Sequence, residues 1–472
     1  MTISGVLAST DHVIHIPETT AADTVRAWIV LALLVGLVIA YVVLHFRLGR
    51  IRVRKLQAPL ALAGAVILLI GGLWNESLSS LLSSFFKGLT NGGLFALIAV
   101  GYTMVYGVVK IINFAHGEIF MFAGFFMFAF MSETAAWPAV ASALFILCIL
   151  LGSTWVLGGK RKPALKAGIS AGSAIPLAIG CYFLFTSFTL PFFLALILTI
   201  ILTAGLGVTC DLVAYKPIRT APRLSALLTA IGLSIAFQNL ALLIWGGDAF
   251  RFPLEEIPAI LKLKTLPEGG AAGVSFWQLL VEYKRLRVMG TEVPLLDLIT
   301  IIVTFVSMAA LWYIVARTKV GKAMRAAALD KVTAALMGVS VNRTVAVTFA
   351  IGSAFAAVGA AFYCLVNPSA LDNLVGYQVG IVAFAAAVLG GIGSIPGACF
   401  GGFLIGFAMT LAPKLNLAMF FAALGFSREF IASLPELTLV SWEFGFAYMI
   451  MILVIIFRPS GILGKEEAAA RA

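Results

Sequence analysis

Charge is scarce in this sequence. Asp, Glu, Lys and Arg make up 11% of its 472 residues, where a soluble domain carries about 25%. With 61% of residues hydrophobic, a water-soluble fold of this length has no core large enough to hide them. The lipid bilayer is the solvent that suits such a chain. Histidine is nearly absent, and the five cysteines lie singly in apolar stretches. No disulfide framework or metal-ligand spacing results, and the thiols read as small packing groups. H-E-x-x-H and G-x-S-x-G are missing, so no catalytic constellation is expected, and no cofactor. The phosphate loop G-x-x-x-x-G-K-[ST] is missing too: Gly321-Lys322 and Gly464-Lys465 lack both the upstream glycine and the following hydroxyl. Any nucleotide hydrolysis then belongs to another polypeptide. The segment before the first apolar run, which starts near Ala27, has no basic start and carries Asp11, Glu18 and Asp23. That run reads as a permanent span rather than a signal peptide.

Long hydrophobic runs are abundant. A helix needs about 20 apolar residues to cross the hydrocarbon layer. Runs of that kind fall near 27–46, 57–74, 81–108, 117–131, 137–158, 165–187, 190–213, 224–246, 294–316, 344–366, 376–390, 396–413 and 438–457. The expected fold class is therefore all-α, a polytopic transmembrane helical bundle of about thirteen spans. The short runs 117–131 and 376–390 read as tilted or re-entrant segments lined by protein.

The net charge of +11 has an explanation that needs no nucleic acid. With the C-terminus in the cytoplasm, the inside loops collect Arg47 to Lys55, Lys160 to Lys166, Lys216, Arg219, Arg223, the cluster from Arg317 to Arg343, and Arg458, Lys465 and Arg471. This is the positive-inside pattern; a patch for anionic lipid is the competing reading. Residues 247–293 form a long external segment of nearly balanced charge, read as a structured loop or short interfacial helix. Residues 414–437 read as an interfacial amphipathic helix.

Four stretches carry functional signals. In TKVGKAMRAAALDKVTAALMGVSVNR, residues 318–343, Asp330 is placed to cap a short helix from Val332 to Met337, and Gly338 lets the chain turn out. Ala326, Ala327, Ala328, Ala334 and Ala335 give it a small-faced surface suited to docking in a partner's groove; a solvated linker helix is the alternative. In span 344–366, Gly352, Ala356 and Ala360 repeat at four-residue spacing, which lets backbones approach closely. The stretch LGGIGSIPGACFGG, residues 389–402, holds Gly390, Gly391 and Gly393 and reads either as a tight turn or as an unwound element lining a solute path. In KIINFAHGEIF, Asn113, His116 and Glu118 are either intramembrane pathway groups or helix-end capping and packing groups. Gln238 and Asn239 are likewise interhelical hydrogen-bonding groups or pathway groups.

Five blocks occur in order: GLTNGGLFALIAVGYTMVYGVVKIINFAHGEIFMFAG (88–124), YKPIRTAPRLSALLTAIGLSIAFQN (215–239), TKVGKAMRAAALDKVTAALMGVSVNRTVAVTFAIGSAFAAVGA (318–360), AAAVLGGIGSIPGACFGG (385–402) and FRPSGILG (457–464). On these blocks the sequence resembles the branched-chain amino acid permease family of ABC importers, in particular the smaller, H-type permease subunit. The resemblance implies a second permease subunit, two cytoplasmic ATP-binding subunits, an external solute-binding protein, and a place in the bacterial inner membrane. It implies that 318–343 is the ATPase-coupling segment, with Arg325, Asp330 and Gly338 as its marked residues. Family loops often read Glu-Ala-Ala at this point. Here Val332, Thr333 and Ala334 stand instead, so the charge contact of that glutamate does not carry over. The chain is also longer than typical relatives. Residues 1–80 add about two spans before a permease domain over 81–466, and a helix pair is inserted near 133–188. The expected function is that of a translocating subunit with no covalent chemistry of its own, carrying branched-chain amino acids or, alternatively, urea, amides or other amino acids. An ion-coupled carrier is the less favoured reading, since Glu118, Asp211 and Asp297 are its few candidate ionisable groups.

Overall fold

The computed structural model describes residues 77–132, 192–252 without 220, 285–288, 291–411 without 369–370, 414, 443–457 and 460–464, with positions 29, 32 and 33. The expected spans 27–46, 57–74, 137–158 and 165–187, the boundary near residue 80, the inserted pair near 133–188 and most of 414–437 lie outside these residues. The chain divides into two compact units, 1–81 with 408–446, and 82–407 with 447–472. The second holds almost everything described below.

The remaining nine apolar runs are helices. They are α1 (Leu78–Val109), α2 (His116–Met131), α3 (Phe192–Cys210), α4 (Arg223–Trp245), α5 (Leu295–Arg317), α8 (Val341–Val366), α9 (Val375–Gly390), α10 (Ile395–Leu411) and α11 (Glu443–Phe457). Between α5 and α8 lie the short α6 (Lys319–Leu329) and α7 (Lys331–Leu336). Five helices among the described residues are long and apolar enough to cross a membrane: α1, α3 with its extension to Ile218, α4 from Leu224, α5 and α8.

Burial separates the helices into two kinds. All residues of α2 are buried, so a helix that is apolar all round is wrapped by protein rather than lipid. It packs against α3, α8, α9 and α4. An aromatic ladder fixes it to α4: Phe125 stacks on Trp245 with centroids 4.3 Å apart and planes at 11°, and Phe122 meets Phe237 and Trp245 edge-on. In contrast, α4 and α5 leave Leu228, Ile235, Leu243, Ile302 and Val306 exposed. An apolar outer face of this kind is solvated by hydrocarbon.

Small residues set the crossings. At Gly352 the nearest neighbours of an added Cβ are the Gly101 carbonyl at 3.4 Å and its Cα at 3.6 Å, and Ala356 and Ala360 beyond it are fully buried. The expected small-residue stripe on α8 is thus a contact face. A Cβ at Gly117 would run into the Gly376 carbonyl and, at 2.8 Å, the Gly380 Cα; α2 and α9 touch backbone to backbone there.

At two stretches the structure bears on alternatives that the sequence left open. The described end of the segment 247–293 is a hairpin, which suits the structured-loop reading there: β1 (Arg285–Val288) pairs antiparallel with β2 (Thr291–Pro294), Arg285 opposite Pro294. The all-α expectation holds for the remaining named elements, with a further single bridge between Phe250 and Leu371. The glycine-rich stretch 389–402 is a tight turn. α9 stops at Gly390 and α10 starts at Ile395; Gly391 (φ 106°) and Gly393 (φ 97°) take the left-handed backbone that glycine adopts without steric penalty. The turn is pinned by Ile462 N–H to the Leu389 carbonyl and Leu463 N–H to the Gly390 carbonyl, each 2.9 Å.

Candidate functional site

Polar groups gather at the start of α2. Ala115 is the N-cap and makes no side-chain cap bond, so neither Asn113 nor His116 caps this helix. Their polarity is used sideways. The Tyr215 hydroxyl donates to Asn113 Oδ1 at 2.5 Å, with both residues buried. Tyr215 closes a π-helical turn, Asp211–Tyr215, that extends α3; such turns inside helices often accompany functional sites. Fully buried Asp211 pairs with Arg219, whose other guanidinium nitrogen reaches Asn342 Oδ1 at 2.7 Å at the start of α8. From sequence, Tyr215 was not singled out, Asp211 was named only as a candidate group of an ion-coupled carrier, and Arg219 only as an inside-loop charge. The signal was present as a polar string, D-x-x-x-Y-x-x-x-R, at helical spacing.

His116 sits against Tyr102 edge-on, with ring centroids 5.0 Å apart. Its imidazole occupies the space a side chain on Gly101 would take, and its Nε2 has no hydrogen-bond partner.

Glu118, in the first turn of α2, is 1% exposed. Its Oε1 accepts from Ser234 Oγ at 2.9 Å and from Gln238 Nε2 at 2.8 Å, both on α4. Oε2 is buried with no partner and lies against Gly376 at the start of α9, in the space a Cβ there would fill. Of the two adjacent polar residues on α4, only Gln238 joins this cluster. Asn239 is exposed and donates to its own helix at the Ile235 carbonyl, 2.8 Å. Gly390, Gly391 and Gly393 stand apart from Glu118, in the turn at the far end of α9.

The second feature is the elbow formed by α6 and α7. Asp330 caps α7, accepting from Val332 N–H at 2.9 Å and from the Thr333 hydroxyl. These bonds hold its carboxyl below the usual carboxylate range. At the other end Val339 N–H bonds the Ala334 carbonyl and Gly338 N–H the Ala335 carbonyl, both 3.0 Å. With Gly338 at φ 85° this is a Schellman stop. Lys331 Nζ donates to the Val109 carbonyl at 3.1 Å, tying the elbow to the end of α1. Burial, then Arg219 and Lys110, lower the pKa of its ammonium.

The expected alanine surface is divided: Ala335 is exposed and Ala326 and Ala328 are half-buried. Ala327 and Ala334 are buried, while Leu329 (90%), Val332 (70%), Leu336 (82%) and Met337 (80%) stand exposed. The elbow packs on α5 and α8, and small residues suit that inner contact. Arg325 is exposed, and its guanidinium also donates to the Val315 carbonyl at the end of α5.

Apolar helices bare on their outer sides, around a buried helix whose few polar groups are held by its neighbours, define a polytopic helical membrane permease. The comparisons agree. The chain belongs to the family of branched-chain amino acid transport system permease components, whose model matches residues 84–455. It is similar to the high-affinity branched-chain amino acid transport system permease protein BraD of Pseudomonas aeruginosa, 32% identical over 390 residues, 82% of this chain and 96% of that protein. It is similar also to the LivH proteins of Escherichia coli K12 and Salmonella typhimurium, described by the same words, 31% identical over 397 residues, 83% of this chain and 98% of each. No solved structure matches the chain.

Proposed function

We propose that this chain is the translocating subunit of an ATP-driven importer for branched-chain amino acids in the bacterial inner membrane. It works with a second permease subunit, two cytoplasmic ATP-binding subunits and an external solute-binding protein. The chain spans the membrane about thirteen times, with its C-terminus and the elbow in the cytoplasm. Residues 1–80 and the pair near 133–188 are additions to a permease domain over 81–466; a family match that starts at residue 84 supports the first.

One observation carries the reading: a doubly capped elbow presents four exposed apolar side chains, Leu329, Val332, Leu336 and Met337. Apolar groups of this size facing water are a docking surface, and here the ATP-binding subunit is its occupant. From the elbow, a polar contact leads inward through Lys331 to α1; from the start of α8, contacts lead through Asn342 and Arg219 to Asp211, whose π-helical turn carries Tyr215 and its bond to Asn113 at the start of α2. Closure of the ATPase pair moves the elbow, and this linked set passes the movement to the buried helix.

The test is uptake and hydrolysis in proteoliposomes holding the complete transporter. Bulky replacements at Asp330 and Gly338 leave hydrolysis running and abolish the uptake coupled to it. Normal coupled uptake in that variant would sink the docking role, and uptake driven by a proton gradient without ATPase subunits would replace the whole reading with an ion-coupled carrier.

A further inference from the structure

We infer that Glu118 and the start of α9 form a binding site for a zwitterionic amino acid, with the ammonium group on Glu118 Oε2 and the carboxylate on the first-turn N–H groups of α9. The inference rests on the solute reading given above and adds where, and by which charges, that solute is held.

Two helix N-termini meet at this point. α2 begins at His116 and α9 at Val375, and they cross backbone to backbone at Gly117, Gly376 and Gly380. Each N-terminus carries a fractional positive charge, roughly half an elementary charge. Neither has a side-chain cap: Ala115 and Leu374 are the N-caps, and neither makes a cap bond. The first-turn N–H groups of α9, on Val375, Gly376 and Tyr377, therefore lack intrahelical partners, as helix geometry requires. In water such groups are hydrated. Within a membrane bundle they await an acceptor.

Glu118 is the independent second observation. Its side chain is 1% exposed. One oxygen is satisfied twice over by α4, and the other is satisfied by nothing while pressed against Gly376. A carboxylate oxygen has only acceptor capacity, so the missing partner is a donor, and in a low dielectric a cationic donor is the strongest. Oε2 calls for a cation and the first-turn N–H groups of α9 for an anion, while the Asp372 carboxylate is already engaged, accepting from Leu374 N–H at 2.9 Å. The ligand that completes such a site is neutral overall with separated charges. A free carboxylic acid lacks the cation for Oε2, an amine lacks the anion for α9, and an α-amino acid supplies both about one bond length apart from a shared carbon.

Access is one-sided. Leu374, Tyr377 and Gln378 on α9 are exposed, Gln238 on α4 is partly exposed, and α4 touches α9. Gln238, bonded to Glu118 Oε1 at 2.8 Å, holds the carboxylate on the partly exposed side while Oε2 takes the ammonium. In this conformation the crossing is shut: the Gly117 carbonyl and Met121 Cβ lie 2.8 and 2.9 Å from where a Cβ on Gly376 would stand. Binding parts α2 from α9, which makes occupancy and helix movement one event.

The experiment uses the full chain, 13C-labelled at glutamate, in lipid nanodiscs with saturating 15N-leucine. Solid-state NMR reads dephasing of glutamate carboxyl carbons by the ligand nitrogen. The expected result is one dephased carboxyl that vanishes in Glu118→Gln, with 4-methylpentanoate and leucinamide each competing at least about tenfold more weakly than leucine. Glu118→Asp, which keeps the charge one methylene further away and is prepared with 13C-aspartate as well, serves should Glu118→Gln not fold: it retains a dephased carboxyl but weakens the dephasing. Leucine held equally by Glu118→Gln, or equal competition by either analogue, overturns the site and leaves the solute reading standing. So does leucine uptake by the complete transporter without any dephased carboxyl in the wild-type chain. Failure of the complete transporter to take up leucine overturns the solute reading itself.

Discussion

The start of α2 and the elbow of α6 and α7 are built on opposite physical terms. At the start of α2, polar side chains are buried and held by partners from other elements, Asn113 by Tyr215 and Glu118 by Ser234 and Gln238, while Asp211 and Arg219 pair within the extension of α3. At the elbow, the polar side chain that matters, Asp330, caps its own helix within three residues, and the apolar ones face outward. The first region derives its geometry from the bundle and would lose it with the bundle. The second carries its geometry in its own sequence and is free to move as a piece. A transporter needs both, a site rigid enough to recognise a solute and a lever that can be pushed without unfolding.

The comparison breaks most sharply at Arg219. Replacing it by Ala strands the buried Asp211 charge, and removal of one partner of such a pair costs about 3–5 kcal/mol. The expected outcome is a large fall in thermal unfolding temperature in detergent, relieved by adding Asp211→Asn. Tyr215→Phe is milder. It leaves Asn113 Oδ1 buried without a donor, at about 1–3 kcal/mol, read by the same melt. Paired Leu336→Asp and Met337→Asp changes should do the reverse, leaving the melting temperature unmoved while coupled uptake falls about tenfold or more, the scale of a lost interface anchor. Should that pair destabilise the chain as much as Tyr215→Phe, the elbow is not an independent lever. Gly338→Ala puts a side chain at φ 85° and costs about 1 kcal/mol locally, visible as faster amide exchange at Val339 and silent at α2.

The smallest effect is that of pH on the elbow. Asp330 has a folded-state pKa below its unfolded one. The cap is therefore fully present above the unfolded value, about 3.9, and is lost only as pH falls through the lowered folded value. Amide exchange protection at Val332, corrected for the intrinsic rate, should stay flat across about pH 6–8 and drop only in strong acid. A drop near neutrality would mean that another group holds this helix.

How far each region could be read from sequence follows from the same contrast. Asp330 and Gly338 were placed as cap and stop because both roles use neighbours within five residues. The nine described apolar helices were legible because lipid selects long apolar runs whatever their partners. Which of the alanines face outward was not legible, because which side of an amphipathic helix faces its own protein depends on what lies beneath, here α5 and α8. Asn113 and His116 could be read either as pathway groups or as capping and packing groups, and only the fold brought Tyr215, 102 residues along the chain, to Asn113.

By itself the sequence determined the membrane as solvent, the helices that cross it and the family to which the chain belongs, since composition and ordered motifs are local properties of the chain. Only the tertiary structure decided that α2 is wrapped in protein, that Glu118 has one satisfied oxygen and one free, and that the start of α9 faces it. Those facts are distances between residues more than a hundred positions apart, and no pattern along the chain encodes a distance across it.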